Sequence, residues 1–497
     1  MVSSDVHAHI TASGIPAVFP SDSTYDSAIK GYNLRFTCKP VAIAYPKDAH
    51  QVAQLVRIGA ALNIKVVARS GGHSYIANGL GGRDGALVVD LKNFSRVSVS
   101  SENGVATVEM GCRIGDVALV LNEKGRGIPH GVCPYVGIGG HSSYGGFGFT
   151  SRMWGLTLDT IISMDVVLAN GTITTLSNDL YPDLFWAMRG AAGSFGIITT
   201  IYVNTFPVPD SVTTFQYSWS LDVPSATKAI SDFQRFVETD LPKEFDCEFN
   251  ISKGDKAGHV TIQLLGGWYG LADEFDLTIC PYLSSLPKPN DVELTVGSYI
   301  DSVIYFSKLG TLDVHSAPGV TDTHYVKSLM TPEDSPFSDL VIRTLMDYLG
   351  QEGFKSDMNW LVQLELYGGK NSAINAVPLE ATAFSRRNTL WTIQFYAPTP
   401  SAKPPYPDSG LAFLDNMVNT ILNHTPPNWD YGAYINYIDE RLSNWEKLYH
   451  GSHYPKLREI KKKYDPENVF SFPLGIDDHS STHAAQYNPG TSLYRMK

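Results

Sequence analysis

The sequence predicts an α+β protein of two units, and three observations carry that prediction. At 497 residues the chain exceeds what one hydrophobic core usually holds. Up to residue 207, short β-branched runs alternate with helical stretches and frequent glycines. Beyond TFPVPDSV (205–212), a proline-rich break, glycine becomes sparse and Gln, Glu and Tyr alternate with apolar residues in strand-like runs.

The first unit opens with PVAIAYP, the helix-like DAHQVAQLVRIGAALN and IKVVARSGG, a βαβ pattern ending in a glycine turn. Strands follow at ALVVDL and ATVEMG, and IGDVALVLNEKG reads as a helix closed by Gly125. In the second unit, WLVQLELYGG (360–369) places Gln363, Glu365 and Tyr367 on one strand face, and TIQFYA (392–397) does the same with Thr392, Gln394 and Tyr396. A flexible APTPSAKPPYPDSG (397–410) precedes a helix, then YGAYINYIDERL, read as a strand, and the closing LREIKKKYDPENVF. The boundaries are set at 1–207, 208–429 and 430–497, the last segment returning to the first unit.

Composition removes several functions. Hydrophobic residues at 43% and charged residues at 18% describe an ordered globular chain. A net charge of -12 argues against nucleic acid or polyanionic partners, which need clustered cations. No run approaches 18 apolar residues, and MVSSDVHAHI has neither a basic leader nor an apolar core, so no membrane span is expected and any signal peptide is taken as already removed. Four N-x-S/T sequons, at Asn93, Asn170, Asn250 and Asn423, fit a secreted glycoprotein. Five scattered cysteines make no disulfide framework and no CxxC zinc site; Cys38, Cys112, Cys247 and Cys280 could still include one bridge.

Chemistry concentrates in two glycine-rich stretches. ARSGGHSY (68–75) follows a strand, and its paired glycines can aim successive backbone N–H groups at an anion such as a pyrophosphate; an ordinary strand-ending turn is the alternative. GVCPYVGIGGHSSYGGFGFTSRMWGLTLD (131–159) is too long for a simple turn and implies close approach of backbone to a ligand. Zinc held by His130, Cys133 and His141 is the competing reading, without a second motif to support it, and no metal is expected.

These stretches, with DLFWAMRGAAGSFGIIT (183–199) and KKKYDPENVF (461–470), resemble the berberine bridge enzyme-like flavoproteins of the vanillyl-alcohol oxidase superfamily, specifically the fungal oligosaccharide oxidases. The resemblance spans essentially the whole chain. It implies a two-subdomain FAD-binding domain with a substrate domain built on a large antiparallel sheet backed by helices. It also implies FAD bound covalently, through its 8α-methyl group to His73 and through ring position 6 to Cys133. A thiol that reacts as thiolate should sit where its pKa is lowered.

The other cofactor positions implied are Arg69, Ser70, Gly71, Gly72, Ser74, Val136, Gly137, Gly140, His141, Gly145, Gly148 and Ile198. Val136 stands where the family places an oxygen gate, and with His141 it resembles the members that use dioxygen. Tyr437 takes the position of the catalytic base and Glu365 that of its supporting carboxylate, where the relatives carry aspartate; Asp439, two residues on, competes as the partner. Gln363 and Gln394 are expected to meet sugar hydroxyls, Tyr75 to complete the substrate site beside the flavin, and core packing is favoured for Trp268, Trp360 and Trp391.

The implied reaction oxidises the anomeric carbon of reducing-end xylo-, gluco- or chito-oligosaccharides to the lactone, with dioxygen reduced to hydrogen peroxide, by a secreted monomer. The rivals are an enzyme of the same fold acting on aromatic or alkaloid substrates, and a silent flavin- or carbohydrate-binding protein.

Overall fold

The computed structural model describes residues 2–316 and 319–476. Its first core gathers around two sheets. A four-stranded sheet runs in the order Ala17–Val18, Ala42–Ala44, Leu87–Asp90, Val66–Arg69, and its last three strands are parallel. The βαβ helix spans Ala49–Ala61 and starts where the Asp48 carboxylate accepts from the Gln51 amide at 2.9 Å. It buries Val52, Leu55 and Val56, the inward stripe of its 3.6-residue period. A five-stranded antiparallel sheet follows, in the order Val97–Val99, Val105–Glu109, Gly196–Asn204, Ile161–Leu168, Ile173–Ser177. Leu457, Ile460, Val469 and Phe470, from the end of the chain, pack into this same core.

The second core lies behind a seven-stranded antiparallel sheet, in the order Asp291–Gly297, Val212–Asp222, His259–Trp268, Phe245–Lys253, Leu361–Leu366, Trp391–Pro398, His324–Thr331. Apart from the exposed edge strand Asp291–Gly297, the strands put an apolar face under the helices Val223–Val237, Asp339–Tyr348 and Asp408–Leu422, while the other face carries polar residues. Trp268, Trp360 and Trp391 are all buried, the packing role expected of them. At the centre Phe233 meets Phe249 and Tyr282 edge-on at 4.8 and 4.9 Å, with Trp391 at 5.7 Å. Burying one such ring is worth about 1.5–3 kcal/mol.

Buried cations clamp the two units together. Arg152, fully buried, donates to the carbonyls of Pro242, Phe245 and Gly368, and Arg387 grips Asp159 through two hydrogen bonds of 2.9 and 2.6 Å. The closing motif is anchored by Lys461, whose Nζ donates to Ser194 O, Asp465 Oδ2 and Phe470 O at 2.6–2.8 Å. YINYIDERL differs from the strand expected of it. It forms a single 3-10 turn, Ile435–Tyr437, because the Tyr437 amide closes back on Tyr434 O at 2.9 Å instead of joining a ladder. All five cysteines are free, so the bridge allowed for among four of them is absent.

Candidate active site

Between the two units lies a cleft with about 1930 Å³ of atom-free space, solvent at its mouth included. One wall is made of the two glycine stretches back to back. A methyl group on Gly71 would stand 2.3 Å from the Gly137 amide nitrogen, and one on Gly137 would stand 2.0 Å from that of Gly71, so only glycine permits the approach. Ser70 ties the loops together, donating to Met110 O at 2.6 Å and accepting from the Gly139 amide. Arg69 spends its guanidinium on Asp90 and Ala28 O, and Ser74 Oγ accepts from the Asn78 amide. These side chains shape the loop and leave its backbone free, and the amides of Gly71, Gly72 and His73 find no acceptor among the described residues.

Of the expected cofactor positions, Arg69 to Ser74, Cys133, Val136, Gly137, Gly140, His141, Gly148 and Ile198 all line the cleft. Gly145 does not. It lies behind the lining, where an added methyl group would strike the Tyr434 hydroxyl at 2.6 Å.

His73 is held near pKa 4 by burial, with the Arg113 guanidinium adding to the effect, so its imidazole is neutral and nucleophilic. Cys133 corrects the expectation made for it. Burial pushes its thiol up, and the Tyr135 and Val136 amides and Arg113 only partly oppose that rise. His141 also stays neutral, near 3, through burial and the neighbouring His130, and its Nε2 accepts from the Gly131 amide at 3.0 Å. Among the described residues no group of three or more His, Cys, Asp or Glu side chains is arranged to hold a metal ion. No helix there is long and apolar enough to cross a membrane.

The opposite wall is the polar face of the seven-stranded sheet. Cross-strand register sets Glu248 opposite Glu365, and Gln363 opposite Gln394. Tyr437 reaches in from the 3-10 turn and donates to Glu365 Oε1 at 2.5 Å, so the expected pair is formed. Asp439 does not compete, because the turn sends it the other way, onto Lys327 at 2.9 Å and Tyr325 at 3.0 Å. Burial pushes both Glu365 and Tyr437 well above their usual ranges; the carboxyls of Glu248 and Asp246 push Glu365 further. Tyr75 lies parallel to Tyr437 with ring centres 6.1 Å apart, and its hydroxyl accepts from Gln394 at 3.1 Å.

Four contributors were not foreseen in the sequence. Glu248 lines the cleft and accepts from Asn250 at 2.8 Å and Gln363 at 3.4 Å. The alternation Asp246, Glu248, Asn250 within FDCEFNIS was its available signal. Tyr434 packs edge-on against Tyr437 at 5.1 Å and is fixed by the Gly146 amide and Asn436. Arg113 and Asn436 carried no local signal.

A deep cleft with unpaired loop amides, a neutral histidine and a cysteine on one wall fits a dinucleotide flavin joined to the protein, and His73 and Cys133 are the residues that would hold it. Comparison with known proteins agrees. Residues 40–177 match the FAD binding domain family, and residues 433–477 match the family described as berberine and berberine like. The carbohydrate oxidase of Microdochium nivale is 35% identical over 95% of this chain and 94% of its own. A solved chitooligosaccharide oxidase superposes with a TM-score of 0.89 at 30% identity, covering 95% of this chain and 99% of that one. The glucooligosaccharide oxidase of Acremonium strictum, described with a 6-S-cysteinyl, 8α-N1-histidyl FAD, gives a TM-score of 0.87 at 31% identity over 95% and 99% of the two chains. The chain therefore belongs to the FAD-dependent, berberine-like oxidoreductases, among the fungal oligosaccharide oxidases.

Proposed function

We propose that the protein oxidises the anomeric carbon of reducing-end oligosaccharides to the lactone, xylo-oligosaccharides ahead of gluco- and chito-oligosaccharides, and reduces dioxygen to hydrogen peroxide. The observation that carries this reading is the Tyr437–Glu365 hydrogen bond on the wall facing His73 and Cys133, with Gln363, Gln394 and Tyr75 around it. An unassisted phenol is a poor base. Tyr437 Oη takes the proton of the anomeric hydroxyl as its own proton passes to Glu365 Oε1, and the low dielectric that raises both values makes that phenolic oxygen strongly basic once relieved of its proton. Amides suit the remaining hydroxyls because each both donates and accepts.

His73 and Cys133 would hold FAD, which when bound would supply the acceptor for the hydride leaving C1 and a route for its electrons to dioxygen. Val136, half-buried on the lining, is the side chain that governs access for dioxygen. Secretion belongs to the same proposal, with glycans at the exposed Asn93, Asn170 and Asn423; Asn250 is half-buried on the sheet, its amide given to Glu248.

Two measurements test this reading. Acid-precipitated protein should keep its yellow colour in the pellet, and xylobiose, cellobiose or chitobiose mixed anaerobically should bleach the flavin. A colourless pellet would remove the covalent linkage. A yellow pellet bleached by an aromatic alcohol and by no sugar would move the reaction to another substrate class.

A further inference from the structure

The segment Gly31–Phe36 belongs to neither glycine stretch, yet its Tyr32 lies flat against the His73 imidazole, with ring centres 4.5 Å apart and planes 18° from parallel. Tyr32 is held from the other unit. Its ring meets that of His324 at 5.5 Å, His324 meets the Tyr396 ring at 4.7 Å, and the Tyr396 hydroxyl donates to Asp322 Oδ2. The backbone is stitched at the same place, Leu34 N to Asp322 O at 2.7 Å and Asp322 N to Tyr32 O at 3.0 Å. Asn33, 2% exposed, donates to Tyr75 O and His324 O, so the His73–Tyr75 loop, the Tyr32 loop and the edge of the large sheet meet at one seam. A stacked imidazole loses its rotational freedom about χ2, which decides where its ring nitrogens point.

We infer that Tyr32 is a positioning residue for attachment of the flavin to His73, and that Tyr396 and Asp322 make this attachment depend on the large sheet being docked. The inference rests on the reading that His73 carries the flavin. In the attachment, a C–N bond forms between an imidazole nitrogen and the flavin 8α carbon. One C–H bond of the 8-methyl group and the imidazole N–H bond break, and the two electrons and two protons released reduce dioxygen to hydrogen peroxide. Such a bond forms at a useful rate only from a near-attack geometry, and an imidazole free to turn forfeits it.

The test uses the full chain carrying Cys133→Ala, so that His73 alone can hold flavin. After acid precipitation, flavin is read in the pellet as joined and in the supernatant as bound but not joined. Tyr32→Phe keeps the stacked ring and should keep the pellet flavin of the parent. Tyr32→Leu should move flavin from pellet to supernatant, lowering the joined fraction by roughly tenfold. Equal pellet flavin in Tyr32→Leu and the parent overturns the inference. If Tyr32→Leu binds no flavin at all, Tyr396→Phe decides, since it keeps the ring packing and removes only the proton given to Asp322. A joined fraction that accumulates more slowly supports the inference, and an unchanged one overturns it. A colourless pellet from the Cys133→Ala parent strikes His73 attachment itself, one step earlier.

Discussion

The two walls of the cleft are built in opposite ways. The wall of His73 and Cys133 comes from two contiguous glycine stretches whose backbones press together at Gly71 and Gly137. That of Glu365 comes from strands more than 100 residues apart, aligned by register, with Glu248 opposite Glu365. Their electrostatics differ too. Arg113 lowers the values of both His73 and Cys133, while Glu248 and Asp246 raise that of Glu365. In the proposed reaction the first wall keeps the His73 imidazole neutral, able to join a cofactor, and the second keeps a proton acceptor strong. By the readings proposed above, attachment draws on the local backbone, one cation and, through Tyr32, the docked edge of the large sheet, whereas proton transfer needs the strands of that sheet in register.

The sharpest way to break this comparison is to remove the base and leave the other wall intact. Tyr437→Phe should lower kcat by about 10²–10⁴, while the acid-precipitated pellet stays as yellow as wild type. A pellet that loses its colour would mean that the two walls are not separable.

Gly137→Ala attacks the opposite wall. Its new methyl group meets backbone nitrogen at 2.0 Å and Ser70 Oγ at 2.3 Å, and backbone cannot rotate away as a flexible side chain would. The expected cost is at the upper end of the roughly 1–3 kcal/mol of overpacking, read as a lower melting temperature together with a purified protein largely free of flavin. Normal flavin content would show that the loops give way cheaply.

The contrast between the walls also explains what was legible beforehand. RSGGHSY and GVCPYVGIGGH announce themselves because a nest of amides needs adjacent residues, so spacing along the chain is the site. Gln363, Glu365 and Gln394 were visible because strand alternation forces them onto one face. Glu248 was not singled out, although its strand alternates in the same way, because only the register with Leu361–Leu366 brings it to Glu365. Asp439 was misplaced for a related reason. Extending a period of two through YINYIDERL assumed a strand, and a single turn sends the side chain to Lys327. The thiol of Cys133 was expected to be lowered and is raised instead, because its burial is a property of the assembled cleft.

Glu365→Gln sharpens the account of the second wall. Glu365 accepts the phenolic proton only when ionised, and its value is raised, so activity should be lost as pH falls through a point above the ordinary 4.5. A glutamine side chain in its place stays neutral at every pH. The variant should lose about 10- to 100-fold in kcat, and the acid limb of its pH–rate profile should vanish. A limb that persists unchanged belongs to another group, and Glu248, also raised by burial, is the one to replace next.

Arg113→Met separates the two attachments within the first wall and carries the smallest expected effect. The one charge disfavours the imidazolium of His73 and favours the thiolate of Cys133. With it gone, His73 rises from about 4, yet an imidazole whose value stays below that of an unperturbed histidine, about 6.5, remains largely neutral at pH 7 and should still join the flavin. Cys133, already pushed up by burial, loses a cation that opposed the rise, so its thiolate becomes scarcer. Peptide mass spectrometry should find the cysteinyl linkage reduced by about two- to tenfold at neutral pH, recovering as protein is reconstituted at higher pH, with the histidyl linkage little changed. Loss of both linkages together at every pH would assign Arg113 a different task, holding the loop through its 3.2 Å hydrogen bond to Val314 O.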